Sequence, residues 1–178
     1  MTSDTPALES PQKVDAGQQF IVAVRSLSPE DIEFVRRVLI GMSEQSRYLR
    51  FHSPVPIVSD WLCRNVLNPK DFECVTYLAE HHMSDRVEPI GFGQMIETGD
   101  GEADLSLAVV DVHQRKGVGH ILMSHLIASA TMRGWNIIQA DVLAENTAAI
   151  GAISTWLGSP VSRHTESNRV KLRWHLTA

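Results

Sequence analysis

Residues 19–25 alternate between polar and apolar, with Phe20, Val22 and Val24 on one side, which predicts a half-buried strand. Ser28, Pro29, Glu30 and Asp31 read as a helix start, with Ser28 as N-cap and Pro29 at the first helical position. Ile32, Val35, Val38 and Leu39 supply the helix's apolar stripe, and Gly41 ends it. A short second helix is expected over 43–50, and a third over 58–67 with Trp61, Leu62 and Val66 inward. Residues 68–71 read as a turn, 72–79 as a strand and 81–89 as a polar loop. Strands are expected at 90–97 and 103–110, joined by the turn signal Thr98-Gly99-Asp100-Gly101. From Val118 the apolar period becomes helical, with Val118, Ile121, Leu122 and Leu126 on one stripe. That helix is expected to run to Met132 and stop at Arg133-Gly134. A strand at 135–142, a helix from Asn146 or Thr147 to Leu157 and a hairpin over 161–176 complete the order. Residues 1–17 are polar and aperiodic, so they are expected to form a flexible tail before a single domain at 18–178.

The order places one chemically suggestive stretch between a strand and a helix: Gln114-Arg115-Lys116-Gly117-Val118-Gly119-His120. The first backbone N–H groups of a helix lack internal partners and lie at its positive dipole end, so an anion can bind there. Gly117 and Gly119 let a phosphate approach the backbone, and Arg115 and Lys116 add charge. A P-loop is excluded because no Gly-Lys-Ser/Thr follows. The dinucleotide fingerprint lacks its third glycine. A plain glycine turn opening a helix is the alternative.

Gln114-x-x-Gly117-x-Gly119 after an apolar strand resembles the pyrophosphate loop of the GNAT superfamily of N-acetyltransferases, which bind acetyl-coenzyme A. Ser43-x-x-Ser46-x-Tyr48-x-Arg50-Phe51 is similar to a segment found in members related to bacterial protein-lysine acetyltransferases. The predicted element order agrees with the GNAT order across roughly 18–176. The resemblance implies a mixed α/β (α+β) fold. Its central, mostly antiparallel twisted sheet is flanked by helices and splays between the strand before the loop and the strand at 137–142.

The resemblance also implies site roles. The amides of Arg115, Lys116, Gly117, Val118, Gly119 and His120 would hold the pyrophosphate, with Gln114 opening the motif. Pantetheine would lie along Leu107, Ala108 and Val109, and the Val109 N–H would face the thioester oxygen. Asn146, in Glu145-Asn146-Thr147-Ala148, matches a cofactor-contacting asparagine and is equally a helix N-cap. Asp104 falls where related enzymes place a glutamate. Glu102, two residues earlier, would share its strand face. A lysine amine with a pKa of about 10.4 needs such a carboxylate to remove its proton. Glu102 also reads as a solvated hairpin residue. The family's tyrosine, a proton donor to the leaving thiolate, is replaced by Ile153, with Ser154 adjacent.

Composition sets outer limits. Sixteen basic and 21 acidic residues give a net charge of −5, which argues against a nucleic-acid partner. No apolar run approaches a membrane span, and no signal peptide is visible. Cys63 and Cys74 do not make a disulfide framework, so a cytoplasmic protein with reduced thiols is expected. Core packing is expected of both cysteines, an exposed loop of His81-His82, and phosphate contact of His113 or His120. No metal is expected. The expected activity is acetyl transfer from acetyl-CoA to an amine, a protein lysine or a small molecule. The rivals are a weakly catalytic acyl-CoA sensor and a nucleotide-binding domain of another fold. Edge strands in the terminal hairpin leave a homodimer open.

Overall fold

The computed structural model describes residues 12–16, 18–67 and 72–176. The turn expected at 68–71 lies outside them. One eight-stranded sheet runs through the molecule in the order β1-β2-β3-β4-β5-β6-β8-β7. Its strands are β1 (Gln12–Ala16), β2 (Gln18–Ser26), β3 (Cys74–His82), β4 (Val87–Gly99), β5 (Glu102–Val109), β6 (Ile137–Leu143), β7 (Ser162–Glu166) and β8 (Arg169–His175). Neighbours are antiparallel except β5 and β6. The helices are α1 (Ile32–Ile40), α2 (Glu44–Phe51), α3 (Asp60–Leu67), α4 (Val118–Met132) and α5 (Thr147–Leu157).

The strand period of two distributes β4 and β5 between two layers. Phe92 and Ala108 join Val35, Val38, Leu39, Cys63 and Val66 on the face covered by α1 and α3. Leu105 packs with Met123 and Leu126 of α4 on the other face. Gly93 permits that approach: a Cβ there would lie 2.8 Å from both Leu107 Cδ2 and Leu126 Cδ1. The predicted α4 stripe of Val118, Ile121, Leu122 and Leu126 is buried.

Several expectations are corrected. Gln12–Ala16, assigned to the tail, pairs with β2 as a strand. Residues 1–11 and Gly17 lie outside the described set. Helix α1 starts at Ile32 rather than Pro29, with Asp31 as its N-cap. The Asp31 carboxylate accepts hydrogen bonds from Arg25 at 2.8 and 2.9 Å and from the Ser28 N–H at 2.7 Å, which fixes 28–31 as a turn. Val66 is buried as expected, but Trp61 is 72% exposed, because α3 starts at Asp60 and turns Cys63 inward in its place. His81 and His82 close β3 rather than forming a loop. Cys63 is buried and Cys74 half-buried; burial pushes both thiols up, so they stay protonated. None of the described helices is long and apolar enough to cross a membrane.

Candidate active site

The parallel β5–β6 pairing is short. It joins Glu102, Ala103 and Asp104 to Ile137, Ile138 and Gln139 and goes no further, although β5 stays paired with β4 as far as Val109 opposite Gly91. The two strands therefore part after Asp104. Backbone polar groups alternate sides along a strand. Gly101 O accepts from Ile137 N on the β6 side, and Val110 N donates to Ile90 O on the β4 side. By that alternation Leu107 and Val109 present their N–H and C=O groups to the opening, while those of Ala108 point to β4.

The chain leaves β5 through a single turn of 3-10 helix, Asp111–His113, into the glycine loop. The Gln114 side-chain NH2 donates to Val109 O at 3.1 Å and Asp111 Oδ1 at 3.0 Å, so it braces the end of β5. Arg115 and Gly117 both have positive φ, 61° and 85°. Gly117 is the N-cap of α4 and supplies no capping side chain. The first turn of α4 therefore opens with donors that no cap satisfies. Gly119 serves packing as well: a Cβ there would lie 3.1 Å from the Trp156 ring. The His120 ring also meets Trp156 edge-on.

Asn146 caps α5, its Oδ1 accepting from Ala149 N at 3.2 Å. Its side-chain NH2 has no partner among the described residues. Ile153 is buried in the core behind α5, so no hydroxyl stands at that position.

Asp104 lies between two hollows. One, about 690 Å³, is lined by Arg50, Trp61, Gln94, Ile96 and Ser106 among others. The second, about 580 Å³, holds Glu102, Gln139, His164, Lys171 and Arg173. Burial pushes the Asp104 carboxyl up; Lys171 pulls it down, and Asp141 and Glu102 push it further up. Glu102 is ion-paired with Arg173. The two carboxylates do share a strand face, but only Asp104 lacks a salt-bridge partner among the described residues.

The Ser43–Phe51 segment is mostly architecture. Ser43 caps α2 by accepting from Ser46 N at 3.1 Å, and its own N–H donates to Asp111 Oδ2 at 3.1 Å. Burial would raise the Asp111 carboxyl, but hydrogen bonds from Ser43 and Ser46 outweigh it and hold the pKa down. Arg47 is buried and donates to the carbonyls of Val55, Leu39 and Met42. Arg50 reaches the hollow: its Nη2 donates to Ser106 Oγ at 2.8 Å, while its Nε is buried without a partner. Burial pushes this guanidinium down to about 10. Only the three-dimensional contacts divide Arg47 from Arg50.

Residues 42–158 match the family model of the acetyltransferase (GNAT) family. An acetyltransferase of Pseudomonas aeruginosa is 23% identical over 138 residues, covering 77% of this chain and 73% of its own. The GNAT domain of PAT from S. lividans superposes with a TM-score of 0.78 at 24% identity, covering 94% of this chain and 96% of that one. Spermidine N-acetyltransferase from Vibrio cholerae, in complex with CoA and spermine, gives 0.66 at 17% identity over 87% and 94%. With an opened β5–β6 pair, a glycine loop and an uncapped helix start inside the matched span, this chain belongs to the GNAT family of acetyltransferases.

Proposed function

We propose that the protein transfers an acetyl group from acetyl-CoA directly to a primary amine, with a protein lysine as the acceptor. The observation carrying this reading is the opening of β5 from β6 after Asp104, which leads into the loop before α4. Amides from Arg115 to His120 hold the pyrophosphate, and the charges of Arg115 and Lys116 support them. The pantetheine pairs with the backbone groups that Leu107 presents to the opening, next to Val109. The Val109 N–H stabilises the oxyanion of the tetrahedral intermediate. Gln114 keeps Val109 in place, and Asn146 offers its NH2 to the cofactor while capping α5.

Asp104 takes the proton from the acceptor ammonium. Its raised pKa makes it a better base than an exposed aspartate. Glu102, engaged by Arg173, sets the charge of the acceptor hollow rather than abstracting the proton. The lysine stem finds apolar cover on Ile57 and Trp61, both exposed along the larger hollow. Arg50 lies in that hollow without a carboxylate partner among the described residues, an unfavourable neighbour for the second ammonium of a polyamine. Ile153 provides no acid, so the thiolate departs unassisted; a thiol's pKa of about 8.5 permits that.

The test is acetyl transfer to lysine peptides and to spermidine. Lysine peptides are expected to react faster. Asp104→Asn is expected to lower turnover at least ~100-fold while leaving acetyl-CoA affinity within about twofold. Unchanged turnover would remove Asp104 from the mechanism. The buried Ile153 favours one second reading, an acyl-CoA sensor, for which saturable acetyl-CoA binding would come without turnover on any amine.

A further inference from the structure

The end of the sheet beyond Val109 carries a cluster that acetyl transfer does not use. His81 of β3 stands directly opposite Glu88 of β4 in the antiparallel register, just past a register shift at Ala79/Glu80. Cross-strand partners on one face bring their side chains together. His113, the last residue of the 3-10 turn, is buried beside them. One ligand-capable atom from each of the three lies within 4.8 Å of the other two.

Both imidazoles are left incomplete. The Nδ1 atoms of His81 and His113 are buried and have no hydrogen-bond partner among the described residues. A buried ring nitrogen without a partner carries a free-energy cost unless something satisfies it. Phe20 packs against both rings, at 4.5 and 5.6 Å between centroids, and fixes their placement. We propose that His81, Glu88 and His113 form a divalent transition-metal site, with zinc as its fitting ion and water completing the tetrahedron.

The chemistry suits the ion. Two imidazoles and one carboxylate are a standard borderline donor set for zinc. Burial pushes both imidazoles down, so they are neutral at physiological pH with lone pairs free to coordinate. Glu88 supplies the countercharge. His82 and Arg86 also bear on His81, and Lys116 faces both rings. The Lys116 ammonium rests over Phe20, 5.6 Å from the ring centre, on a flexible stem that can turn away from a bound cation. The site joins β3 and β4 to the residue that precedes Gln114, so an ion there would clamp the lead-in to the glycine loop. It stands apart from Asp104, which pairs with Ile96 further along β4, and so is structural rather than catalytic. Neither the donor set nor its test depends on the cofactor reading.

The experiment titrates chelator-treated full-length protein with zinc chloride against a chromophoric indicator. One equivalent is expected to bind, with affinity at least ~10-fold weaker in His81→Gln and in His113→Gln. His175→Gln, an exposed histidine on β8, should leave it unchanged. Thermal melts of the metal-free proteins check folding, and zinc should raise the wild-type Tm. Cobalt(II) added to wild type should give the intense visible absorption of four-coordinate cobalt, absent in Glu88→Gln. No stoichiometric zinc binding, or binding and a cobalt spectrum that survive all three substitutions, would overturn the proposal.

Discussion

Arg47 and Arg50 sit three residues apart on α2 and do different work. Arg47 is held by backbone carbonyls at the α1 end and in the loop after α2, through its Nε and Nη1. Hydrogen bonds from a charged donor contribute about 1.5–3 kcal/mol each, and their loss strands buried acceptors. Arg47→Ala is therefore expected to lower stability by about 3 kcal/mol in denaturant unfolding, with no selective effect on acetyl-CoA affinity in whatever remains folded. A loss below about 0.5 kcal/mol would show that those bonds are not formed in solution. Arg50 instead lines the hollow beside Asp104, with Nη2 on Ser106 Oγ and a buried Nε that has no partner among the described residues.

At the scale of elements, titration and packing meet at the loop end of the sheet. Burial holds His81 and His113 below the ordinary histidine value of about 6.5. As pH falls through that value, the unfolded chain takes up protons before the folded one, so stability drops. Asp104 has the opposite sign: its folded pKa is raised, so its contribution falls as pH rises above the unfolded value. The metal-free protein should show a Tm that falls as pH drops below about 6.5, less steeply in a His81→Gln/His113→Gln double variant. A Tm that is flat for both across this window would contradict neutral, buried imidazoles. Asp104→Asn should raise Tm slightly at pH 8, since a desolvated carboxylate is removed.

For the whole molecule, local periodicity revealed what is local. The α4 stripe, its start after Gly117 and its stop at Arg133-Gly134 were legible because they depend on neighbouring residues. So were the Asn146 cap and the Thr98–Gly101 turn, where Gly99, Asp100 and Gly101 all have positive φ. What escaped depends on distant partners. The Asp31–Arg25 pairing delayed α1, and the Arg173–Glu102 pairing occupied one of two candidate bases. The His81–Glu88–His113 grouping needs the β3–β4 register and the 3-10 turn together. Trp61 reads as buried from its apolarity alone, whereas the start of α3 turns it over the hollow beside Asp104.

Acetyl-CoA binding at the loop between β5 and α4 is the central claim. Calorimetric titration of the wild type and Gly117→Glu with acetyl-CoA tests it most directly, with thermal melts confirming that both are folded. Gly117 has φ 85° and begins the uncapped helix, so a glutamate there adds negative charge where the pyrophosphate would sit. Saturable one-to-one binding in the wild type, at least ~10-fold weaker in the variant, is the predicted result. No binding to the wild type, or equal binding to both folded proteins, would rule out this loop as the acetyl-CoA site.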